Sequence, residues 1–112
     1  MSNKIGAQAE EKALQFLQTK GFCLIQRNFT TPLGEIDLIG RLENQLLFVE
    51  VKQRKNGQFG TALEMVTYQK QQKIRKASMI FLQKNVKYQC LPCRFDVISI
   101  TADKLDWIQA AF

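Results

Sequence analysis

The stretch Gly34–Arg54 limits what this chain can fold into more than any other. It reads GEIDLIGRLENQLLFVEVKQR, two apolar runs around the polar turn Glu43-Asn44-Gln45. Runs this short and β-branched, bounded by turn residues, predict a hairpin with strands over Glu35–Ile39 and Leu46–Lys52. The second run is apolar at successive positions, which predicts a strand covered on both faces. Asp37, Glu50 and Lys52 interrupt the pattern. Side chains alternate along a strand, so Leu46, Phe48, Glu50 and Lys52 share one face, as do Glu35, Asp37 and Ile39 on the neighbouring strand. In an antiparallel hairpin the two polar sets can meet on one side of the sheet. Two like charges about 4 Å apart repel by roughly 4 kcal/mol at an effective dielectric of ~20. A proton, the Lys52 ammonium or a bound cation must offset that. A hard divalent ion such as Mg²⁺, which takes carboxylate, carbonyl and water oxygens, suits such a place.

The surrounding composition narrows the chemistry. The 112 residues are enough for one domain, 1–112, with one core. No apolar run reaches the ~20 residues of a membrane span, and the opening MSNKIGAQAEEK has no apolar leader core, so a cytoplasmic protein is expected. Histidine is absent, which removes histidine-based nucleases, triads that use histidine and histidine-ligated zinc. The net charge of +6 around a carboxylate centre suits a polyanion such as DNA or RNA, although many small soluble proteins are basic. Cys23, Cys90 and Cys93 are an odd set without a secretion signal, which argues against a disulfide framework. Cys90-Leu91-Pro92-Cys93 has the CxxC form, but three sulfurs fall short of a structural zinc site.

In chain order, residues 1–3 are expected to fray. Ile5, Ala9, Ala13, Phe16 and Leu17 recur at helical spacing, predicting a helix over Lys4–Lys20 that Gly21 caps. Glu10 flanks that stripe between the small residues Gly6 and Ala13, where it would either reach the carboxylates or stay solvated beside Glu11. A strand is predicted over Phe22–Asn28, then a turn-rich connection through Pro32. Arg27 and Asn28 suit either a phosphate contact or a strand end. The segment Lys55–Thr61 reads as a loop, with Phe59 available to stack on a base or to enter the core. A second helix is predicted over Thr67–Lys84, with Thr67 as N-cap and Ile74, Ala77, Ser78 and Phe81 buried. Lys70 is in register with that stripe and should lean over the sheet. Lys73, Arg75, Lys76 and Lys84 form either a solvated face or a groove border. Asn85–Pro92 is a connection and Cys93–Ile100 a strand, interrupted by Asp96. A turn at Asp103 precedes a last short strand within Leu105–Ala110, where Trp107 anchors the core or an interface. The order is αβββαβ(β).

Asp37 followed thirteen residues later by Glu50-Val51-Lys52 resembles the D…(D/E)xK signature of the PD-(D/E)xK nuclease superfamily. The strings GEIDLI, FVEVKQR and RFDVI, with the helical Glu10, are similar to the YraN-like family of small bacterial proteins, itself similar to archaeal Holliday-junction resolvases. The likeness runs from Gly6 to Phe112; Ile36 stands where the superfamily's name has proline. It implies a restriction-endonuclease-like α/β fold, an αβββαβ core with a mixed central sheet flanked by helices. It further implies that Asp37 and Glu50 ligate Mg²⁺ or Mn²⁺, with the Val51 carbonyl as a third ligand and Glu10 bound directly or through water. Lys52 would orient the attacking water or steady developing charge. Lys70, with Arg54, Lys73 and Arg27, would contact nucleic acid, expected to be DNA and of branched form if the resolvase likeness extends that far. A resolvase cuts two strands symmetrically, so the likeness also points to a homodimer, which the residues themselves do not demand. Two rival readings remain at this point: a nucleic-acid-binding module on a nuclease scaffold without turnover, and a purely structural ion-pair cluster.

Overall fold

The expected hairpin lies at the middle of the sheet. A computed structural model describes residues 4–54, 66–102 and 104–112, with only the backbone of residues 4 and 5. The expectations for residues 1–3, for the Ile5 side chain, for Phe59 and its loop and for a turn at Asp103 lie outside the described residues. The elements run α1 (Lys4–Thr19), β1 (Cys23–Thr31), β2 (Gly34–Leu42), β3 (Gln45–Gln53), α2 (Tyr68–Lys84), a short 3₁₀ turn (Val86–Tyr88), β4 (Cys93–Ile100) and β5 (Leu105–Ile108). The five strands form one sheet in the order β1-β2-β3-β4-β5. Only β3 and β4 run parallel, and α2 is the crossover between them. This mixed sheet with a helix on each side matches a restriction-endonuclease-like core.

Each helix covers one face. The α2 side holds Ile74, Ala77 and Phe81 against Phe29, Ile36, Ile39, Phe48 and Val97. The α1 side holds Ala9, Ala13, Leu14 and Leu17 against Leu38, Leu47, Val49 and Ile98. Leu46 to Glu50 of β3 are buried without a break, because a central strand meets a helix on both sides. The predicted caps form. Gly21 has φ +97, and the Gly21 and Phe22 N–H groups donate to the Gln18 and Leu17 carbonyls. That is a Schellman closure, with Phe22 and Leu17 sharing the core beneath it. Thr67 Oγ1 accepts the Lys70 N–H at 3.1 Å and starts α2.

β1 extends three residues beyond the predicted Asn28 and replaces the expected turn-rich connection. Asn28 reads as a turn former and does take φ +52. Pairing resumes beyond it, from Phe29↔Ile36 to Thr31↔Gly34, so the left-handed residue distorts the strand without ending it. At the far end of this hairpin β2 comes very close to α2. A Cβ on Gly34 would lie 2.4 Å from the Lys73 carbonyl oxygen. Gly34→Ala must therefore push the helix away, and a loss of about 1–3 kcal/mol is expected in urea melts.

Candidate active site at the fork of the sheet

The hairpin is paired from Leu42↔Gln45 to Leu38↔Val49 and no further. Past that point residues 34–36 pair with β1, and residues 50–53 pair with β4. The sheet therefore forks, and the first side chains in the fork are Asp37 and Glu50. Ile36 and Ile39 both enter the α2-side core although they are three residues apart. Strict alternation along β2 thus breaks at Asp37. Leaving β2 costs the Val51 N–H its ladder partner, and Asp37 Oδ2 accepts that N–H at 2.7 Å. A side chain takes over the hydrogen bond that the diverging backbone gives up.

The two carboxyls lie within hydrogen-bonding reach of each other. Burial and the neighbouring Glu50 push the Asp37 carboxyl up to about 9, against the pull of the Val51 N–H. Without a cation the pair holds a proton at neutral pH. Glu50 is 4% exposed. Its Oε2 lies 3.2 Å from Lys70 Nζ and 3.8 Å from Lys52 Nζ. This buried oxygen thus has two ion pairs but no hydrogen bond. Burial alone would lower the Lys70 ammonium; the Glu50 carboxylate outweighs it and raises it.

Glu10 approaches from α1. Its carboxyl is raised by partial burial, held down in part by a hydrogen bond from Asn28, and feels Glu35 and Glu50. Among the described residues no three acidic, cysteine or histidine side chains stand close enough to cage a metal by themselves. Glu10 is thus an outer group that would act through water, and a cation would rest on Asp37 and Glu50. That set fits Mg²⁺ or Mn²⁺, since Mg²⁺ is commonly held by one or two carboxylates with water and substrate oxygens completing its shell. The unsatisfied Glu50 Oε2 is the atom such an ion would satisfy.

The structure brings Asp37, Glu50, Lys52 and Lys70 together and spreads the other expected residues. Arg27 forms a half-exposed ion pair with Glu11 at 3.0 Å. Arg54 continues β3, its N–H donating to the Ile100 carbonyl at 2.8 Å. Lys73 stands one helical turn from Lys70 on the side of the β1–β2 turn. Two residues escaped the sequence reading as site residues. Glu35 faces both lysines, and its position two before Asp37 on one strand was a usable signal. Asn28 holds Glu10 through a positive-φ backbone, and nothing in the sequence marks that.

Asp96, which interrupts the apolar run of β4, is structural. Arg94 donates two hydrogen bonds to it, at 2.9 and 2.8 Å. The Trp107 indole N–H and the Ala110 N–H complete its shell. Trp107 is therefore an internal anchor. All three cysteines are free and exposed, and no helix among the described residues is long and apolar enough to cross a membrane.

The profile of the uncharacterised protein family UPF0102 matches residues 9–100, which include every residue of this site. The chain belongs to the UPF0102 family. This is the YraN-like group that the motifs resemble. A curated UPF0102 protein of Saccharophagus degradans is 48% identical over 110 residues, spanning 98% of this chain and 93% of the relative. One of Francisella tularensis is 44% identical, spanning 97% and 94%. One of Nitrosococcus oceani is 43% identical, spanning 96% and 90%. The UPF0102 match thus includes the whole fork, and the chain spans nine-tenths or more of these relatives.

Proposed function

We propose that this protein is a metal-dependent endonuclease that hydrolyses DNA phosphodiester bonds, resembling a Holliday-junction resolvase in its choice of branched substrates. The observation that carries the reading is the fork. Two carboxyls lie side by side there, one with a buried oxygen that lacks a hydrogen bond, and two ammoniums flank them. A Mg²⁺ or Mn²⁺ ion bound there would supply the charge that polarises a phosphate and makes water a nucleophile at neutral pH.

The chain's own residues do the rest. The Val51 N–H fixes the Asp37 carboxylate, so its orientation is set before substrate arrives. Lys52, held beside Glu50 at 3.8 Å, steadies negative charge as it builds on the phosphate. Lys70, paired with Glu50 at 3.2 Å, is placed to bind a substrate phosphate beside the ion that Asp37 and Glu50 would hold. Glu10, oriented by Asn28, holds a water at the margin. The net charge of +6 draws DNA to the fork.

One observation favours a second reading, a DNA-binding module without turnover: the two ammoniums already compensate Glu50. Incubation of purified protein with branched, duplex and single-stranded DNA in Mg²⁺ or Mn²⁺ separates the readings. Cleavage is expected, lowered about a thousandfold or more in Glu50→Gln and Lys52→Ala with far-UV circular dichroism unchanged. Binding without cleavage under every metal condition supports the second reading, and full cleavage by either variant removes the first.

A further inference from the structure

Beside the fork lies a pocket of about 300 Å³ between the β1–β2 turn and the start of α2. Lys70 joins the two places, since it lines the pocket and its Nζ lies 3.2 Å from Glu50 Oε2. Glu35, two residues before Asp37 on β2, lines it as well. We infer that this pocket receives one nucleotide next to the phosphate at the fork, its own phosphate on Lys70 and Lys73 and a base or sugar N–H or O–H donor on Glu35. This rests on the polynucleotide reading of the fork and goes further by naming a second contact.

Three features carry it. The first is that the pocket is built in advance. Thr31 Oγ1 accepts the Leu33 N–H at 3.1 Å and the Gly34 N–H at 3.0 Å, and donates to the Gly34 carbonyl at 2.8 Å. The rim is thereby locked by one side chain. Its base is the close approach of Gly34 to the Lys73 carbonyl, so the walls have no slack to collapse. The second is size. The pocket is at the small end of the range for small-molecule sites, and about ten times the roughly 30 Å³ share of one water. A lone phosphate would leave most of it empty.

The third is the mixture of groups. Lys70 and Lys73 are one helical turn apart and offer only donors, which suits phosphate. Glu35 offers only acceptors and would repel a bare anion. A nucleotide satisfies both, with its phosphate toward the lysines and a base amino group or sugar hydroxyl toward the carboxylate. Leu33, 51% exposed, and Pro32 give the rim an apolar edge for the face of a base.

The test uses the full chain in metal-free buffer, with amide chemical shifts followed by NMR. The probe is adenosine 3′,5′-bisphosphate; inorganic phosphate and adenosine are the comparators. Saturable shifts are expected at Thr31, Leu33, Gly34, Glu35, Lys70 and Lys73, with each comparator at least tenfold weaker. Lys73→Ala and Glu35→Ala alter exposed side chains and should each weaken the bisphosphate about fivefold. Shifts that fall elsewhere, no shifts at millimolar probe, or phosphate as strong as the bisphosphate would each overturn the inference. The two proposals fail separately. The expected shifts in a protein that never cleaves DNA keep the pocket and sink the nuclease reading. Cleavage with unchanged KM in the Lys73→Ala, Glu35→Ala double variant keeps the nuclease and sinks the pocket.

Discussion

Asp37→Asn is expected to lose Mn²⁺-dependent cleavage by about three orders of magnitude or more and, at pH 8 without metal, to be more stable than the parent chain. The two effects share a cause. The Asp37 carboxyl is raised from 3.8 to about 9 by burial and by Glu50. A carboxyl that is raised on folding contributes stability fully below its unfolded pKa, and that contribution is lost as pH rises through its folded pKa. The metal-free parent should therefore weaken steadily between pH 4 and 9. Glu10 is raised too and acts in the same direction. Lys70, raised above 10.5, keeps its contribution across this window and loses it only at higher pH. Asparagine cannot ionise, so the variant should lack most of the slope and gain roughly 1–4 kcal/mol at pH 8, the range seen when buried charges are replaced. Urea melts at pH 5 and pH 8 check this. A divalent ion has to displace the shared proton, so Mn²⁺ affinity in the parent should rise about tenfold per pH unit below 9. Equal Mn²⁺ affinity at pH 6 and pH 8 by calorimetry would contradict the shared proton.

Asp96→Ala should cause the largest loss of stability. Asp96 is fully buried and satisfies the Arg94 guanidinium, the Trp107 indole and the Ala110 N–H at once. Removing it strands the Arg94 charge, whose side chain is 15% exposed, together with two N–H donors. Breaking one partner of a buried pair costs about 3–5 kcal/mol, a large part of the 5–15 kcal/mol that holds a typical domain. The same network ties β5 and the residues after it to β4, so loss of near-ultraviolet signal from Trp107 should accompany the fall in thermal midpoint. Arg27–Glu11 provides the contrast. It is an ion pair of similar length whose side chains are 39% and 49% exposed, and Glu11→Ala should cost under about 1 kcal/mol. Circular dichroism melts of both variants compare the two directly.

The hairpin, both helix caps, the helix-covered central strand and the meeting of Asp37, Glu50 and Lys52 are legible in the order of residues alone. Each of these follows from a short-range period or a local stereochemical demand: alternation over two residues, apolar spacing of three and four, a glycine where φ must be positive. That order also placed Lys70 over the sheet, because the register of a helix with its own buried stripe is a local property.

Where β2 and β3 part company is set by the packed sheet as a whole. Alternation says which face a side chain takes, but not at which residue two strands stop sharing hydrogen bonds. That depends on β1 and β4 competing for the same edges, and on Asn28 bending β1 opposite Asp37. The fork in turn decided that Asp37 binds the Val51 N–H and that Lys70 rests on Glu50, and the β1–β2 turn placed Glu35 on the wall of a pocket. These contacts join residues far apart in the chain, and the burial that raises the Asp37 carboxyl exists only once both helices have closed over the sheet.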